Sequence, residues 1–132
     1  MTAYPKPPRR IVLFGAALLR LNILVDRREQ QRCARCGRII WAGGSRHHRK
    51  FRSRRGSDTA ANIVLMCGSG TTGCHGWVHA NPTSAAMVGF ALESGQDPTE
   101  HPIEHVLYGR VWLDDDGGHS GTPPRRQVGR AA

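Results

Sequence analysis

Metal-ligand side chains cluster in the segment MCGSGTTGCHGWVHANP, residues 66–82. It holds Cys67, Cys74, His75 and His79 within thirteen residues. Thiolates and imidazoles are the groups with which proteins most often bind zinc. The segment therefore predicts one metal site, half of each of two sites, or the bridges of a small disulfide-bonded fold. The ligands that lie upstream decide among these three.

Two further cysteines, Cys33 and Cys36, form a Cys-x2-Cys pair upstream. With Cys67 and Cys74 they make a set of four thiolates, which can close a tetrahedral zinc site without an open coordination position. The second pair has a wider gap, GSGTTG, which we expect to bulge at the surface. Four cysteines also allow three disulfide pairings, but the Cys-x2-Cys spacing favours metal. We therefore predict structural Zn²⁺, which stabilises the fold and takes no part in chemistry.

The histidines predict a site of another kind. His47 and His48 are adjacent, and His75 and His79 are four residues apart, so the second pair shares one face of a helix. Three neutral imidazoles around a metal leave positions open for water or substrate, which is typical of catalytic metals. The remaining histidines show no such pattern, and we interpret them as surface or capped residues rather than ligands: His101, His105 and His119.

Charge points to a polyanionic partner. The chain of 132 residues has a net charge of +9 and a pI near 10.7, which favours nucleic acid first and an anionic membrane surface second. With 39% hydrophobic residues, one small domain with a thin core is expected, and such a core needs a metal or another staple.

The apolar run from Ile11 to Leu19 is short and is interrupted by Arg20. A bilayer span needs about 20 apolar residues, and no small-residue cleavage motif follows the run. We therefore expect no membrane association and no export. In a reducing cytoplasm, paired cysteines bind metal rather than oxidise.

The elements that must position these side chains follow from local composition. CARCG predicts a knuckle, RIIW and RHHRKF the two strands of a hairpin, and residues 82–92 a helix that begins at Pro82. The predicted organisation is a disordered basic arm (1–10), a helix (11–31), a metal-binding domain (32–92), an extension with a hairpin (93–117) and a disordered tail (118–132).

The motifs CARCG, HHR, ANIVLMC and CHGWVHANP, in this order, resemble the HNH endonucleases of the ββα-metal fold. The resemblance covers residues 28–92 and is strongest to the small zinc-knuckle versions in phages and prophages of actinobacteria. It implies an α+β fold of the ββα-metal type with a four-cysteine zinc knuckle, an N-terminal helix and a C-terminal hairpin. The signature positions of the family fall on His48, Asn62 and His75.

The same resemblance implies a role for each site residue. His48 is the general base, and His47, His75 and His79 hold a catalytic divalent ion. Asn62 braces the loop that aims His48; in some relatives the Asn contacts the metal instead. Many relatives have Asp at the position of His47; an imidazole there tolerates Zn²⁺ or Ni²⁺ as well as the Mg²⁺ or Mn²⁺ that a carboxylate favours. The wide Cys-x6-Cys gap is a second departure from the family.

The implied function is metal-dependent hydrolysis of DNA phosphodiester bonds, by nicking or by double-strand cleavage. By analogy with relatives, the protein acts in phage DNA packaging beside a terminase, inside the bacterial host cell. Arg and Lys hold six of the ten positions around the base and are expected to bind phosphate without reading sequence. These residues are Arg46, Arg49, Lys50, Arg52, Arg54 and Arg55.

The alternative from another class is a non-catalytic zinc-ribbon DNA-binding protein. Such a protein needs the four cysteines and the basic loop, but it does not need His47, His48, Asn62, His75 and His79 together. A toxin-like nuclease is disfavoured because no delivery segment is recognised. The sequence leaves open the number of strands cut, the metal used and the oligomeric state.

Overall fold

A computed structural model describes residues 9–125 of the chain and shows a mixed α+β protein. The parts of the predicted arm and tail at 1–8 and 126–132 lie outside these residues. None of the helices in the described part combines the length and apolar character that crossing a bilayer requires. The elements are α1 (Gly15–Arg28), β1 (Ser45–His48), a 3₁₀ turn (Arg52–Arg54), β2 (Ile63–Met66), α2 (Gly73–Ala80), α3 (Pro82–Met87), β3 (Ile103–His105), β4 (Gly109–Leu113) and β5 (His119–Ser120).

A two-stranded antiparallel sheet carries the first pair of histidines. Strand β1 pairs with β2 so that Ser45 faces Met66 and His48 faces Ile63. The sequence of β2, IVLM, is apolar throughout, and all four residues are buried because α1 and α2 both pack against this strand. A strand that is covered on both faces has a continuous run of apolar residues rather than alternating apolar and polar residues.

The predicted hairpin between RIIW and RHHRKF is wrong. Ile39 makes only an isolated bridge to Arg32, and Trp41 is 83% exposed. Strand β1 takes its partner from β2 instead, across a loop that holds the basic residues. All four apolar residues of β2 are buried, whereas Ile39 and Trp41 of RIIW are exposed, so β2 is the better covered of the two segments.

Helix α1 begins at Gly15, four residues after the predicted start at 11. Residues 11–13 have no regular secondary structure and run beside the loop that ends at Asp58. The Ile11 amide donates to Ser57 Oγ over 3.0 Å, and the Asp58 amide donates to the Ile11 carbonyl over 2.8 Å. These bonds compete with the first turn of a helix. The helix ends at Arg28, because Gln30 and Gln31 both have positive φ.

The second and third helices follow one another with only Asn81 between them. Pro82 begins α3 as predicted, but the helix ends at Met87 and not at 92. Gly89 has a φ of +85°, and the Phe90 amide donates back to the Ala85 carbonyl over 2.9 Å, which closes the helix end. This reversal carries Phe90 into the core beside β1.

The C-terminal extension forms a three-stranded antiparallel sheet in the order β3-β4-β5, where a single hairpin had been predicted. The predicted disorder from 118 onward is wrong for His119–Ser120, which pair with Trp112 and Leu113. Asp114 closes the turn between β4 and β5 because its Oδ1 accepts the amides of Asp116 and Gly118.

A buried ionic cluster ties this sheet to the rest of the domain. Glu29 accepts hydrogen bonds from Arg28 Nε (3.0 Å), His105 Nε2 (2.7 Å) and the Leu65 amide (3.3 Å). The cluster links the end of α1, β2 and β3. His105 therefore belongs to the core.

Candidate metal centre and base

The four cysteines converge from two loops. Cys33 and Cys36 follow α1, and Cys67 and Cys74 flank the loop between β2 and α2. All are free thiols, and their sulfur atoms lie within 4.8 Å of one another. The Cys36 and Cys67 sulfurs are 3.8 Å apart, which matches the edge of about 3.8 Å of a tetrahedron with Zn–S bonds of about 2.3 Å. This cluster can hold a structural metal such as zinc.

Local backbone geometry shapes the wide second pair. Gly68 and Gly73 have φ of +83° and +62°, and a Cβ at Gly68 would lie 2.1 Å from the Thr72 carbonyl oxygen. Glycine is needed where the loop closes on itself this tightly. The six residues between Cys67 and Cys74 therefore form a compact bulge, and the two sulfurs remain close together.

Nitrogen donors surround the cysteine sulfurs. The Cys74 amide donates to Cys67 Sγ, and Arg35 Nη1 donates to Cys74 Sγ, both over 3.4 Å. Arg35 is held in place by the ring of Trp77, 3.7 Å from its guanidinium. Burial raises the pKa of Cys74 to about 12, and Arg35 offsets only part of the rise. A bound cation is the group that would release this proton.

Three histidines meet at a second point. His47 comes from β1, and His75 and His79 come from successive turns of α2. One ring nitrogen from each lies within 4.8 Å of the others. The Nε2 atoms of His75 and His79 are 3.2 Å apart, close to the edge of about 3.3 Å expected for nitrogen ligands about 2.0 Å from a tetrahedral metal. The structure thus brings together the histidines that the sequence predicted as ligands.

His47 is held as a neutral imidazole. Its Nε2 lies 2.7 Å from the carbonyl oxygen of Phe90; since a carbonyl only accepts, Nε2 carries the proton and Nδ1 keeps its lone pair. Burial lowers the pKa of His47 to about 3, and the neighbouring His75 and His79 contribute to the lowering. A carbonyl partner on the distal nitrogen is the usual arrangement for a metal-binding histidine.

His75 is likewise suited to the neutral form. Its Nδ1 is buried without a hydrogen-bond partner in residues 9–125. Burial, followed by the charges of His79 and His48, lowers its pKa. A protonated His75 ring would have an N–H donor at both nitrogens, and the donor at Nδ1 would be buried without an acceptor. The neutral ring, which can bind a metal, is therefore favoured.

His48 has a partner that the sequence did not predict, Asp58. The Nε2 atom of His48 lies 2.7 Å from Asp58 Oδ1, and the side chains are 12% and 8% exposed. Burial lowers the pKa of His48, and the hydrogen bond to Asp58 opposes this effect. The signal that could have identified Asp58 is its position as the single acidic residue in the basic loop RSRRGSD.

The side chain of Asn62 binds the loop between the two strands. Its Oδ1 accepts the Lys50 amide over 2.7 Å, and its Nδ2 donates to the carbonyls of Lys50 (3.1 Å) and Ser57 (3.0 Å). The side chain is fully buried. It therefore joins Lys50, two residues after His48, to Ser57, the residue that precedes Asp58.

The six basic residues do not form one surface. Arg49 is 0% exposed, so its predicted contact with DNA is wrong. Its guanidinium binds backbone carbonyls because the loops around β1 leave them without other donors. The acceptors are the carbonyls of Gly89, Ala61, Pro98, His101 and Pro102.

The other basic residues remain at least partly accessible. Arg46 pairs with Asp26 over 2.5 Å, and Arg54 donates to the Leu92 carbonyl over 2.9 Å while lying over the Phe51 ring. Arg52 and Arg55 are exposed, and Lys50 is half-buried. Only part of the predicted set is therefore available to a phosphate.

An open cavity of about 440 Å³ joins these features. The four histidines share it with Arg46 and Arg52, so the candidate metal ligands, the candidate base and two cations line one space. Its lining consists of Arg46, His47, His48, Phe51, Arg52, Ser53, His75 and His79. A cavity of this composition suits an anionic substrate.

Comparison of the chain with protein-family models, with curated proteins and with solved structures finds no match.

Proposed function

We propose that this protein is a metal-dependent endonuclease of the HNH type, with the ββα-metal fold, that hydrolyses DNA phosphodiester bonds. One observation carries the proposal. Imidazoles from β1 and α2 converge on a common point in the same cavity that holds a further histidine and two arginines. The order strand, strand, helix around this point agrees with the family that the motifs resemble.

The donor set of the triad fits a divalent ion. His47 offers Nδ1, and His75 and His79 offer one nitrogen each. An all-imidazole set suits Zn²⁺ and Ni²⁺ better than the harder Mg²⁺ and Mn²⁺. A divalent ion bound there would polarise the phosphate and neutralise charge on the departing oxygen.

The residues of the chain supply the proton transfer. His48 accepts a proton from water at Nδ1 while its Nε2–H remains bonded to Asp58. The water oxygen forms a bond to phosphorus, the bond from phosphorus to the 3′ oxygen breaks, and the leaving oxygen takes a proton from solvent. Asn62 holds the loop that carries these groups.

Charge on the cavity wall positions the phosphate. Arg52 is exposed and lines the cavity, and Arg46 contributes at its edge. Guanidinium groups bind phosphate oxygens in pairs. Phosphate contacts of this kind carry no sequence information, so weak sequence preference and strong salt dependence are expected. A role in phage DNA packaging beside a terminase, in the bacterial cytoplasm, extends the proposal by analogy alone.

Plasmid cleavage tests the proposal. Wild-type protein is incubated with supercoiled plasmid and Mg²⁺, Mn²⁺, Ni²⁺, Zn²⁺ or EDTA, beside His48→Ala and the control His119→Ala, whose histidine stacks on Tyr108 outside the cavity. Nicking or linearisation that needs metal, vanishes in His48→Ala and persists in His119→Ala supports it. Salt-sensitive binding without cleavage under every ion contradicts it and favours the zinc-ribbon DNA-binding protein.

A further inference from the structure

The carboxylate of Asp58 uses its two oxygens for two different donors. Oδ1 accepts from His48 Nε2 over 2.7 Å, and Oδ2 accepts from the Leu13 backbone amide over 2.9 Å. The two donors come from parts of the chain 10 and 45 residues away. Asp58 therefore joins the proposed base to the segment 11–13, which precedes α1.

The Leu13 amide determines how Asp58 can face the histidine. A backbone N–H only donates, so the group opposite it must be an acceptor, and a carboxylate presents an acceptor on both sides. Burial raises the pKa of Asp58, but the His48 hydrogen bond and the Leu13 amide lower it below its ordinary value. With Asp58 ionised, the proton of a neutral His48 lies on Nε2, and Nδ1 carries the lone pair.

Backbone hydrogen bonds on both sides of Asp58 hold its carboxylate in place, so it does not rotate together with the His48 ring. The Asp58 amide donates to the Ile11 carbonyl over 2.8 Å, and the preceding Ser57 is bonded on one side by the Ile11 amide and on the other by Asn62. The carboxylate is thus held between the N-terminal segment and the loop that Asn62 braces. His48 Nδ1 has no hydrogen-bond partner in the described chain and is not among its buried unpaired atoms.

We propose that Asp58 is the positioning residue of the active site: it fixes His48 in the Nε2–H tautomer, so that Nδ1 is free to take the proton from the attacking water. The inference rests on the proposed endonuclease function. It also assigns a role to residues 11–13, because the Leu13 amide fixes the orientation of Asp58. A histidine held in the wrong tautomer cannot act as the base even when its position is unchanged.

The substitution Asp58→Asn tests this assignment. The backbone N–H of Leu13 needs an acceptor, so the side-chain oxygen of the new Asn faces Leu13. The side-chain NH₂ of the Asn then faces His48 and donates to its Nε2. The proton of His48 then moves to Nδ1. In the serine protease triad, the corresponding Asp to Asn change lowers kcat about 10⁴-fold for this reason, and a loss of about 10³-fold or more in cleavage rate is expected here, with little change in DNA affinity.

A second variant separates positioning from folding. Asp58→Ala removes both hydrogen bonds but leaves His48 free to adopt either tautomer, so it should retain more cleavage activity than Asp58→Asn. A purely structural role predicts the opposite order, because Asn keeps the bond to Leu13 and Ala does not. Thermal unfolding of both variants provides the folding measure. Asp114→Asn, which alters a carboxylate in a remote turn, is the matched control and should cut normally.

Histidine ¹⁵N NMR reads the tautomer directly. Spectra of labelled protein are recorded above the ordinary imidazole pKa of about 6.5, and His48 is identified by its loss in His48→Ala. A proton on Nε2 in the wild type and on Nδ1 in Asp58→Asn supports the inference. An unchanged tautomer, or an Asp58→Asn protein that cuts like the wild type, overturns it. A wild type that cuts under no ion overturns the proposed function and the catalytic part of the inference, while the spectra still decide the tautomer assignment.

Discussion

His47 donates its Nε2–H to the carbonyl oxygen of Phe90 over 2.7 Å, and both residues are almost completely buried. This bond joins β1 to the turn after α3. It turns the free nitrogen of His47 toward the two histidines of α2, since the opposite nitrogen is occupied. The arrangement of the three histidines therefore depends on a backbone group that lies 43 residues away from His47 in the chain.

Removing one triad histidine should empty one of two metal sites. Wild-type protein is expected to retain two equivalents of Zn²⁺ after dialysis, and His79→Ala one. Because His79 is exposed, its loss should leave the fold intact. The affinity of the histidine site for Zn²⁺ should fall by more than about 100-fold, since loss of a residue that only hydrogen-bonds a metal ligand already lowers metal affinity by up to about 100-fold. Metal analysis and calorimetry measure this, with His119→Ala as the control. Two tight equivalents in His79→Ala would contradict the assignment.

The cysteine cluster should control stability. Cys36 is the exposed member, so Cys36→Ser removes a metal ligand with little change in packing. Since metal binding at such sites is coupled to folding, we expect the melting temperature to fall by at least about 10 °C and one zinc to be lost. Circular dichroism follows the transition. A chelator should lower the melting temperature of the wild type by a similar amount, and adding Zn²⁺ should restore it. An unchanged melting temperature in Cys36→Ser or in the chelated wild type would show that the cysteine cluster needs no metal.

Arg49 should matter for stability. Its guanidinium is fully buried on backbone carbonyls, and Arg49→Met leaves those acceptors without donors. The free energy of unfolding is expected to fall by about 3 kcal/mol or more, measured by urea denaturation. Arg52→Met, the same change at an exposed position, should alter it by less than about 0.5 kcal/mol. Equal effects of the two substitutions would contradict the buried role.

Arg52 should matter for DNA binding instead. It lines the cavity beside the histidines, and removing one phosphate contact should reduce the slope of log affinity against log salt by about 0.9. Fluorescence anisotropy with a labelled duplex at several salt concentrations measures the slope. Arg110→Met is a suitable control, since Arg110 is exposed on β4. A slope that does not differ between wild type and Arg52→Met would exclude a phosphate contact at this position.

Glu29 should make folding sensitive to acid. Burial raises its pKa, but the His105 hydrogen bond and the charge of Arg28 outweigh burial, so the folded-state pKa lies below its usual 4.5. A lowered carboxyl pKa stabilises the fold above the unfolded-state pKa, and this stabilisation is lost as the pH falls through the folded-state value.

Glu29→Gln removes that dependence. The difference in free energy of unfolding between wild type and variant should be constant above about pH 5.5 and shrink below about pH 4.5. Urea denaturation across this range measures it. A difference that grows as the pH falls would show that the pKa is raised in the folded state. Glu100→Gln, at an exposed position, is the control.

Local spacing was the most informative part of the sequence. The Cys-x2-Cys pair, the His-x3-His pair and Pro82 each describe geometry within a few residues, and the structure has the cysteine cluster, the histidine triad and the start of α3 where these patterns predicted them. The pairing of the strands was harder to predict from the sequence. RIIW and IVLM are both suitable strands, and the choice of β2 depended on which could be covered by two helices.

The amino-acid sequence by itself determined the Cys33–Cys36 pair and the His75–His79 pair, because residues at knuckle or helical spacing converge through the local backbone. The tertiary structure brought the other two cysteines and His47 to these pairs. Only the tertiary structure decided which basic residues reach solvent and which partner each histidine has. Arg49 and Arg52 are three residues apart and of one type, yet one is surrounded by carbonyls and the other is exposed. Likewise, Asp58 and Phe90 reach the histidine pair through contacts between distant segments, which no local pattern specifies.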